Sequence, residues 1–302
     1  MRSIDLKLNT ASKALQKFNS PEHREAKNEI SCIVMTRNSA STLDTCLRST
    51  KGLFRDVFVI DSASKDDTIE IARRHNTNII SFEWNGQYPK KKQWCLENLP
   101  LKTDWVFYLD SDEVITPELA QEIRAAFSKP LKKTGFFIHG RHQLLGKTLR
   151  FGLHNNKLAL FNRHYFHYPV INDLHLPLGE VEGHYQPIAT TKNRPKIGQM
   201  KSPLLHLSMQ CTQSHRARHE IYADWEAGMI ERDLFPRDPI AYRQIIKHHI
   251  RKSRLRPALL FCISYFLKLG IFDGKQGYVF AKEKASYALQ ILRRLSRSRK
   301  TA

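Results

Sequence analysis

The sequence has few cysteines, no long apolar run and too few acidic residues to balance its basic ones, and each shortage excludes a class of protein. Its five cysteines are scattered, odd in number and without C-x-x-C spacing, which indicates reduced thiols in a cytosolic setting rather than a disulfide framework or a zinc site. No stretch reaches about 18 consecutive apolar residues, so no spanning helix is expected. The amino terminus lacks the apolar region of a secretory signal. P-loop and G-x-S-x-G motifs are also missing, which excludes P-loop NTPases and α/β-hydrolases.

The shortage of acids leaves a net charge of +20, from 49 Lys+Arg against 29 Asp+Glu in 302 residues. More than half of this excess lies between Lys247 and Ala302, where 14 basic residues face 2 acidic ones. A localised basic tract predicts an anionic partner, either a lipid surface or nucleic acid. No RNP-like, helix-turn-helix or finger pattern supports a nucleic-acid-binding protein, which stays an alternative without a motif.

The amino-terminal half alternates short apolar segments with helical ones. Strands are predicted at Ile30–Met35, Asp56–Ile60, Asn78–Phe82 and Asp104–Leu109, and helices at Thr42–Thr50, Asp67–His75, Lys90–Asn98 and Thr116–Phe127. This alternation is typical of βαβ units and a parallel sheet, hence of the α/β fold class. The less regular pattern after Gly135 predicts mixed sheet and loops. Three regions are expected: a polar extension over 1–28, a catalytic domain over 29–235 and a basic helical region over 236–302.

Polar side chains follow three of the predicted strands. Thr36, Asp61 and Asp110 each come where an apolar run ends, and open α/β sheets bind ligands beyond the carboxyl ends of their strands. Asp110-Ser111-Asp112 forms a D-x-D, whose carboxylates suit a hard divalent cation that also binds phosphate oxygens. A D-x-D by itself is equally typical of a solvated acidic turn. The convergence of three strand ends favours a site for a metal-bound nucleotide diphosphate.

Further residues extend this predicted site, each with an ordinary structural alternative. Asp61 is expected to accept a hydrogen bond from a nucleoside, and Thr36, Arg37 and Asn38 to border the same pocket, although these positions also suit caps and loops. Lys92 is chosen from the run Lys90–Lys92 as the phosphate-neutralising lysine, against a solvated charge run. His206 is a candidate third metal ligand, against a buried core histidine.

The carboxyl-terminal segment combines basic and apolar residues. The basic stretch Arg251–Arg256 precedes a mostly apolar stretch, Pro257–Phe272, and Tyr278–Leu295 has an apolar helical face. Basic, aromatic, amphipathic helices lie in the head-group plane of an anionic membrane. We therefore expect peripheral association with the inner face of the cytoplasmic membrane. The alternative is a pair of helices packed onto the catalytic domain with solvated charges.

Several of these stretches together resemble the family 2, inverting, GT-A-fold glycosyltransferases. The resemblance rests on residues 30–38, 59–68, 84–94 and 106–114, and on the element F-L-K-L-G-I-F-D-G-K-Q-G at 266–277. More narrowly, the chain resembles the bacterial branch that adds a glucose-like residue to lipopolysaccharide inner core. The resemblance implies a Rossmann-like GT-A fold, a nucleotide-sugar donor with UDP favoured, and a lipid-linked saccharide acceptor.

The resemblance also implies roles for individual residues. Asp61 would contact the nucleoside, Asp110 and Ser111 the ribose or diphosphate, and Lys92 the phosphates. Asp112, with Asp110, would ligate Mn²⁺ or Mg²⁺. Inverting transfer needs a general base as well; the candidates are Asp173 first, then Glu180, then Glu113.

The chain departs from the pattern of this branch at three positions. Asn155 and Ala159 stand where an acidic residue and an arginine are usual, and Leu176 stands where a glutamate is expected. These positions fall where acceptor and base belong, so a catalytically silent GT-A scaffold is one alternative. A metal-dependent nucleotidyl- or phosphotransferase is another, and it would want a third acid beside Asp110 and Asp112.

Overall fold

The fold is described from a computed structural model covering residues 29–144, 146–183, 185–190, 195–207, 213–236 and 241–301. The expected extension over residues 1–28 lies outside these ranges. Within them, ten strands form one sheet, and two short strands form a separate ribbon.

One side of the sheet is parallel and comes from the first part of the chain. Its strands are β1 (Ile30–Thr36), β2 (Asp56–Asp61), β3 (Asn78–Ser81) and β4 (Trp105–Asp110). β1 pairs in parallel with both β2 and β4, and β2 with β3. All residues of β1 except Met35 are buried, as expected of a strand covered on both faces.

Helices connect the parallel strands. α1 (Ala40–Thr50), α2 (Thr68–Arg74) and α3 (Lys91–Asn98) lie between them in the chain, and α4 (Pro117–Phe127) follows β4. Helix α4 begins as its sequence predicts, because the Thr116 hydroxyl accepts a hydrogen bond from the Leu119 amide at 3.2 Å and Pro117 occupies the first turn. Every predicted element over residues 30–127 is present, with ends shifted by two residues or fewer.

The other side of the sheet is mixed. It contains β5 (Glu113–Ile115), β6 (Gly135–Leu144), β7 (Lys147–Thr148), β8 (Asn156–Asn162), β11 (Ile197–Gln199) and β12 (Leu204–His206), while β9 (Phe166–His167) and β10 (Ile188–Ala189) make the ribbon. β8 pairs antiparallel with both β4 and β6, which joins the mixed half to the parallel half. β6 runs through Gly140, which lets that strand pair with both β8 and β12. The complete order of the sheet is β3-β2-β1-β4-β8-β6-β12-β5, with β7 and β11 also paired to β6.

Apolar residues cover both faces of the sheet. One cluster packs α1 and α4 against β1 and β4 and includes Leu43, Phe107 and Leu119. The other lies on the opposite face, where Phe58, Tyr108 and Phe161 meet the segment that follows β9. The predicted fold class is therefore confirmed: an α/β fold with a parallel half, a mixed half and carboxyl-terminal helices.

Four α-helices follow in the described part of the chain: α5 (Gln213–Glu231), α6 (Ala241–Lys252), α7 (Arg256–Cys262) and α8 (Lys275–Thr301). A π-helical turn, Ile263–Leu267, and a 3₁₀ turn, Gly270–Asp273, connect α7 to α8. No helix within the described ranges is both long enough and apolar enough to span a bilayer.

The apolar face of α8 packs onto the rest of the molecule. Ala288, Ile291 and Leu295 are buried against α5, and Phe280 is buried against Leu144 and Leu149. Most of α8 therefore fits the alternative in which the carboxyl-terminal helices pack onto the catalytic domain. The helical face that was predicted to lie on a membrane is largely buried in the core.

Candidate active site

The three polar strand ends lie side by side. In the sheet order β2-β1-β4, Thr36 is in register with Asp61, and Met35 with Asp110. Parallel strands place their carboxyl ends at one edge. The structure therefore brings Thr36, Asp61 and Asp110 together at the edge where the sequence predicts a ligand.

Asp61 is tied into the loop that follows β2. Its Oδ1 accepts hydrogen bonds from the hydroxyls of Thr36 (2.9 Å) and Ser64 (2.6 Å), and its Oδ2 accepts one from the Ser64 amide (2.9 Å). Only 3% of its surface is exposed. Asp61 therefore holds the loop after β2 against the end of β1. Its predicted contact with a nucleoside stays a prediction.

The loops after β1 and β2 form a continuous rim. The Asn38 amide donates to the Ser64 hydroxyl at 2.7 Å, and the Asn38 side-chain oxygen accepts from the Lys65 amide at 2.8 Å. Asn38 has a left-handed backbone, with φ of 49°, a conformation that asparagine tolerates better than most residues. Arg37 is exposed on this rim. The group Thr36–Asn38 thus lies at the carboxyl end of β1, beside the region beyond the ends of β1, β2 and β4 that we call the crevice. Its predicted part in a nucleoside pocket stays a prediction.

The D-x-D turn is attached to the same rim. The Ser111 and Ser39 hydroxyls are 2.8 Å apart, within hydrogen-bond distance. The Asp112 carbonyl accepts a hydrogen bond from the Leu207 amide at 2.8 Å, which links the turn to the chain after β12. The acidic turn is thus held between two parts of the fold.

A lysine that the sequence analysis did not select pairs with this turn. Lys157 Nζ lies 2.9 Å from Asp110 Oδ2 and also donates to the Glu113 carboxylate. Glu113 Oε2 in turn accepts a hydrogen bond from the Asp110 amide at 2.9 Å. Lys157 is on β8, which pairs with β4, so its position follows from sheet topology and not from proximity in the sequence.

The pairing governs the charge of these groups. Burial acts to raise the pKa of Asp110, but the ammonium groups of Lys157 and Lys92 outweigh burial and hold this pKa well below its ordinary value. Burial keeps the pKa of Glu113 above its ordinary value despite Lys157. Burial acts to lower the pKa of Lys157, yet the two carboxylates raise it above the ordinary value.

The acidic residues fit a cation that is completed by a ligand. Asp110 and Asp112 supply the hard oxygen atoms that Mg²⁺ and Mn²⁺ prefer, and such ions are often held by one or two carboxylates plus substrate phosphates. Within the described ranges, no three His, Cys, Asp or Glu side chains converge closely enough to hold a metal by themselves. Protein side chains alone therefore do not complete a coordination sphere.

The structure does not place His206 in a three-ligand set with Asp110 and Asp112. The His206 ring lies 4.9 Å from the ring of His142, centre to centre, because β12 runs beside β6 and pairs these two residues. β12 also pairs antiparallel with β5, which places His206 opposite Glu113 and so near the acidic turn. Its role as a metal ligand stays a prediction.

The side chains of the run Lys90–Lys92 lie in different surroundings. Lys91 Nζ donates to the Thr36 carbonyl (3.1 Å) and the Ser62 hydroxyl (2.6 Å), so Lys91 enters the crevice between β1 and β2. Lys92 Nζ lies 5.8 Å from the centre of the Tyr168 ring. Lys91 is thus a second candidate for the phosphate-binding lysine, which the charge run alone did not distinguish.

Glu182 orients this lysine run. Its carboxylate accepts hydrogen bonds from the amides of Lys92 (2.9 Å) and Gln93 (3.0 Å) at the start of α3. A carboxylate at a helix amino terminus satisfies free amides and stabilises the helix dipole. This contact joins residues 90 positions apart, so no local signal in the sequence could have predicted it.

Asp173, the first candidate base, is fully buried. Lys90 Nζ lies 2.9 Å from its Oδ1 with both side chains fully inaccessible, and the Trp225 indole donates to its Oδ2 at 3.0 Å. The Tyr88 hydroxyl also donates to this carboxylate. Asp173 therefore holds three elements together, and the geometry gives it a structural role in place of contact with an acceptor.

The other two candidate bases differ in access. Glu113 is buried, 3% exposed, and occupied by Lys157 and the Asp110 amide. The Glu180 side chain is partly exposed, and its Oε1 lies 4.0 Å from Lys91 Nζ. The Glu180 carbonyl accepts a hydrogen bond from the Lys91 amide at 3.0 Å. Glu180 is therefore the candidate whose carboxylate reaches the crevice.

The departures from the branch pattern have structural explanations at two positions. Ala159 is 1% exposed in the core beside β4. Leu176 is buried against α5, where a Cβ on Gly228 would lie 2.5 Å from the Leu176 Cδ2. Both side chains serve packing. Asn155 is exposed, and nothing in its contacts explains the difference.

A Rossmann-like α/β fold with carboxylates at the ends of neighbouring parallel strands has the type of site that open α/β sheets use for nucleotide ligands. Comparison with known proteins agrees: residues 31–166 match the family described as glycosyl transferase family 2. This segment is rather less than half of the chain. The chain is similar to that family over these residues, and membership of the whole chain stays a prediction. The lipopolysaccharide inner-core branch stays a prediction.

Curated relatives match over about a third of this chain. An uncharacterized glycosyltransferase of Rickettsia felis is 34% identical over 100 residues, which cover 33% of this chain and 34% of that protein. The SPbeta prophage-derived glycosyltransferase SunS of Bacillus subtilis is 26% identical over 91 residues, covering 30% of this chain and 21% of that one. The match thus spans about a third of the first relative's length.

Among solved structures, the mannosyltransferase PcManGT from Pyrobaculum calidifontis, in complex with GDP-Man and Mn²⁺, is similar over 95% of this chain and 94% of that one. The TM-score is 0.49 and the identity 12%. S. aureus TarS 1–349 is similar over 91% and 92% of the two chains, with a TM-score of 0.41 and 14% identity.

Proposed function

We propose that this chain is an inverting glycosyltransferase that moves a hexose from a nucleotide-diphosphate sugar, with UDP favoured, to a lipid-linked saccharide such as lipopolysaccharide core. The observation that carries the proposal is the cluster of Thr36, Asp61 and Asp110 at one sheet edge, within a segment that matches glycosyl transferase family 2. Open α/β sheets bind nucleotides at this edge.

The donor diphosphate would lie between the acidic turn and the lysine run. Asp110 and Asp112 would hold Mn²⁺ or Mg²⁺, and this cation would stabilise negative charge on the leaving nucleoside diphosphate. Lys91 and Lys92 would supply further positive charge from the start of α3. The amino terminus of a helix also favours an anion, although Glu182 already occupies two of its amides.

Glu180 is the general base that the geometry favours. It would take the proton of the acceptor hydroxyl while that oxygen attacks the anomeric carbon from the face opposite the leaving group. Its partly exposed carboxylate near Lys91 supports this role. Asp173 would instead hold Lys90 and Tyr88 in place and so fix the direction in which Lys91 and Lys92 project.

The test compares Glu180→Gln with Asp173→Asn. Glu180→Gln should lower kcat by about 10²-fold or more, with donor binding and thermal stability unchanged. Asp173→Asn leaves a buried ammonium without its anion, so it should cost about 3–5 kcal/mol of stability. A stable but inactive Asp173→Asn protein, together with an active Glu180→Gln protein, would reverse the two assignments.

Donor and metal are tested by thermal shift with UDP-, ADP-, GDP- and CMP-linked sugars, each with and without Mn²⁺. We expect the largest stabilisation from one UDP-sugar with Mn²⁺, because a ligand that binds the folded state raises its melting temperature. Stabilisation by a sugar linked to a different nucleotide would change the proposed nucleobase of the donor. No response to any sugar nucleotide would refute the enzyme proposal.

A silent GT-A scaffold is the second candidate, and one observation favours it. Lys157 occupies Asp110 Oδ2 and the Glu113 carboxylate, so a protein ammonium already neutralises part of the acidic turn. Under that alternative, sugar nucleotides would bind without turnover. Product analysis after incubation with donor and total membrane lipid distinguishes the two.

The acceptor and location are inferred from the tail. A lipid-linked saccharide is presented at a membrane surface, and the basic carboxyl-terminal region suits an anionic leaflet. Association with the inner face of the cytoplasmic membrane would keep the site next to such an acceptor. Extraction of the native protein from membranes by high salt, without detergent, tests this peripheral location.

A further inference from the structure

An apolar surface projects from the turn between α7 and α8. We call residues 266–272 the apolar knuckle. Leu267 is 72% exposed and Phe272 69% exposed, and Phe266, Leu269 and Ile271 are also exposed. A cluster of large apolar side chains that are exposed close together is typical of an interaction site. Among the described residues, the exposed large apolar side chains are concentrated in this part of the chain.

The knuckle is held rigidly in its exposed position. Asp273, 2% exposed, accepts hydrogen bonds through Oδ2 from the amides of Arg150 (2.9 Å) and Phe151 (2.8 Å). The Ser264 hydroxyl accepts one from the Leu153 amide at 3.1 Å, and the Lys268 carbonyl one from the Gly152 amide at 2.8 Å. The bonds of Ser264 and Asp273 hold the two ends of the knuckle, and the bond to the Lys268 carbonyl holds its middle, so its backbone is fixed against the loop 150–153.

Close backbone packing adds to this rigidity. A Cβ on Gly277 would lie 1.8 Å from the Gly270 carbonyl oxygen, and a Cβ on Gly270 would lie 2.7 Å from the Ser264 carbonyl oxygen. The first turn of α8 therefore packs directly onto the 3₁₀ turn. The exposed side chains between them are presented by a fixed scaffold.

The charges around the knuckle are positive. Lys268 is exposed within the knuckle and Lys275 just after it, and Arg254 and Lys282 are exposed nearby in the chain. The single acidic residue between positions 251 and 282 is Asp273, whose carboxylate is buried in the contact just described. The surface therefore combines exposed apolar groups with cations, which complements an anionic lipid leaflet.

We propose that the apolar knuckle is the membrane-inserting element of this protein. Phe266, Leu267 and Phe272 would enter the boundary between head groups and acyl chains of an anionic bilayer, while Lys268 and Lys275 remain among the head groups. Helix α8 would stay packed on α5 and would not lie in the membrane. This narrows the membrane contact from the whole basic tail to one turn.

The knuckle is also connected to the crevice. The loop that Asp273 and Ser264 hold leads into β8, which carries Lys157 at the acidic turn. Insertion of the knuckle would therefore fix the position of the crevice relative to the lipid surface. The biological purpose of this arrangement rests on the proposed lipid-linked acceptor, but vesicle binding does not depend on that function.

The experiment measures flotation of the full chain with vesicles of phosphatidylcholine containing about 30% phosphatidylglycerol, because each basic residue adds attraction to an anionic leaflet. Leu267→Glu should weaken binding about tenfold or more, since it places a charge where an apolar side chain inserts. Val170→Glu is the matched control: it adds the same charge at a position 76% exposed on the catalytic half. The control should bind as the wild type does.

Two further variants separate insertion from charge. Lys268→Glu with Lys275→Glu should abolish binding at low salt, and raising NaCl from about 0.1 M to about 0.5 M should weaken wild-type binding. Leu267→Trp should retain binding and show a blue-shifted emission that brominated acyl chains quench. Equal binding of Leu267→Glu and wild type, no wild-type binding, or equal binding to neutral vesicles would overturn the proposal.

A second copy of this chain is the other partner that could cover the apolar knuckle, and the experiments distinguish it from a lipid surface. Analytical ultracentrifugation that finds a dimer dissociated by Leu267→Glu, with no wild-type binding to vesicles, would overturn the lipid assignment in favour of a second copy of this chain. Sugar-nucleotide thermal shift on Leu267→Glu keeps the two proposals apart. A normal shift with lost flotation supports the knuckle, whereas flotation without any shift leaves the knuckle intact and refutes the enzyme.

Discussion

At the level of single residues, the ammonium of Lys157 is the charge on which the acidic turn depends. It contacts Asp110 and Glu113, and Glu113 is buried. Removing one partner of a buried ion pair leaves an uncompensated charge, which is the costly outcome.

We predict that Lys157→Met lowers the free energy of unfolding by about 2–3 kcal/mol at pH 7, less than for a fully buried pair because Asp110 is partly exposed. The double variant Lys157→Met with Glu113→Gln should recover most of this loss, since glutamine carries no charge. Urea denaturation measures both. A loss of equal size in the single and double variants would show that Lys157 acts through packing alone.

His154 makes a separate prediction, about acid. Burial lowers its pKa from 6.5 to about 4, helped by the positive charges of Lys284 and Arg141 and by His139, while Asp273 acts in the opposite direction. The ring also lies beside His142 and Phe280. The folded state thus keeps this imidazole neutral at a pH where the unfolded chain binds a proton.

Because the folded pKa is below the unfolded one, this histidine destabilises the fold as the pH falls below 6.5, by about 1.4 kcal/mol per unit down to about pH 4. Between pH 7 and pH 5, His154→Leu should therefore lose about 2 kcal/mol less stability than the wild type. The control is His175→Leu at an exposed position. Parallel pH profiles for wild type and His154→Leu would contradict the assignment.

At the level of elements, the junction of the 3₁₀ turn with α8 depends on two glycines. Gly277 has no room for a Cβ next to the Gly270 carbonyl. Overpacking of this kind typically costs 1–3 kcal/mol and sometimes more, because the backbone has to move.

We predict that Gly277→Ala lowers the free energy of unfolding by about 2 kcal/mol or more. It should also weaken vesicle binding, because the 3₁₀ turn that carries the knuckle can no longer pack directly onto the first turn of α8. Gly140→Ala is the control, since nothing lies within 4 Å of the added Cβ; it should be neutral or slightly stabilising. Thermal melts and flotation provide the readouts. Gly277→Ala with wild-type stability would show that the helix slides without cost.

At the level of the whole molecule, the tail completes the core. Ala223, Ala227 and Ile230 of α5 pack against Ile291 and Leu295 of α8. In addition, Glu226 pairs with Arg256, and both are nearly buried. The domain boundary expected at residue 236 marks the point where the chain becomes strongly basic. The contacts of α5 with α8 and with Arg256 cross this point.

We predict that a chain ending at residue 235 does not fold into a stable monomer, because it exposes the apolar face of α5 and leaves Glu226 without its arginine. Size-exclusion chromatography should find aggregates, and circular dichroism a broad melt. The full chain should melt in one cooperative transition. A monomeric truncated protein with a sharp melt would establish 236–302 as a separate unit.

The sequence alone was sufficient for the parallel half of this protein. Buried strands and capped helices over residues 30–127 are local patterns, and each takes its form from periodicity, β-branched residues and turn chemistry within one short segment. The strand-end residues Thr36, Asp61 and Asp110 could be predicted for the same reason, since a parallel sheet brings its carboxyl ends to one edge.

Only the tertiary structure shows which residues from distant parts of the chain come into contact, because local sequence patterns do not encode these contacts. Lys157 reaches Asp110 across the β4–β8 pairing, Asp173 is buried between Lys90 and Trp225, and Glu182 caps a helix far away in the chain. Which of two adjacent lysines faces the crevice, and which part of a basic tail is core or surface, depends on contacts between distant segments. Such contacts follow from the packing of the whole chain and have no local signature in it.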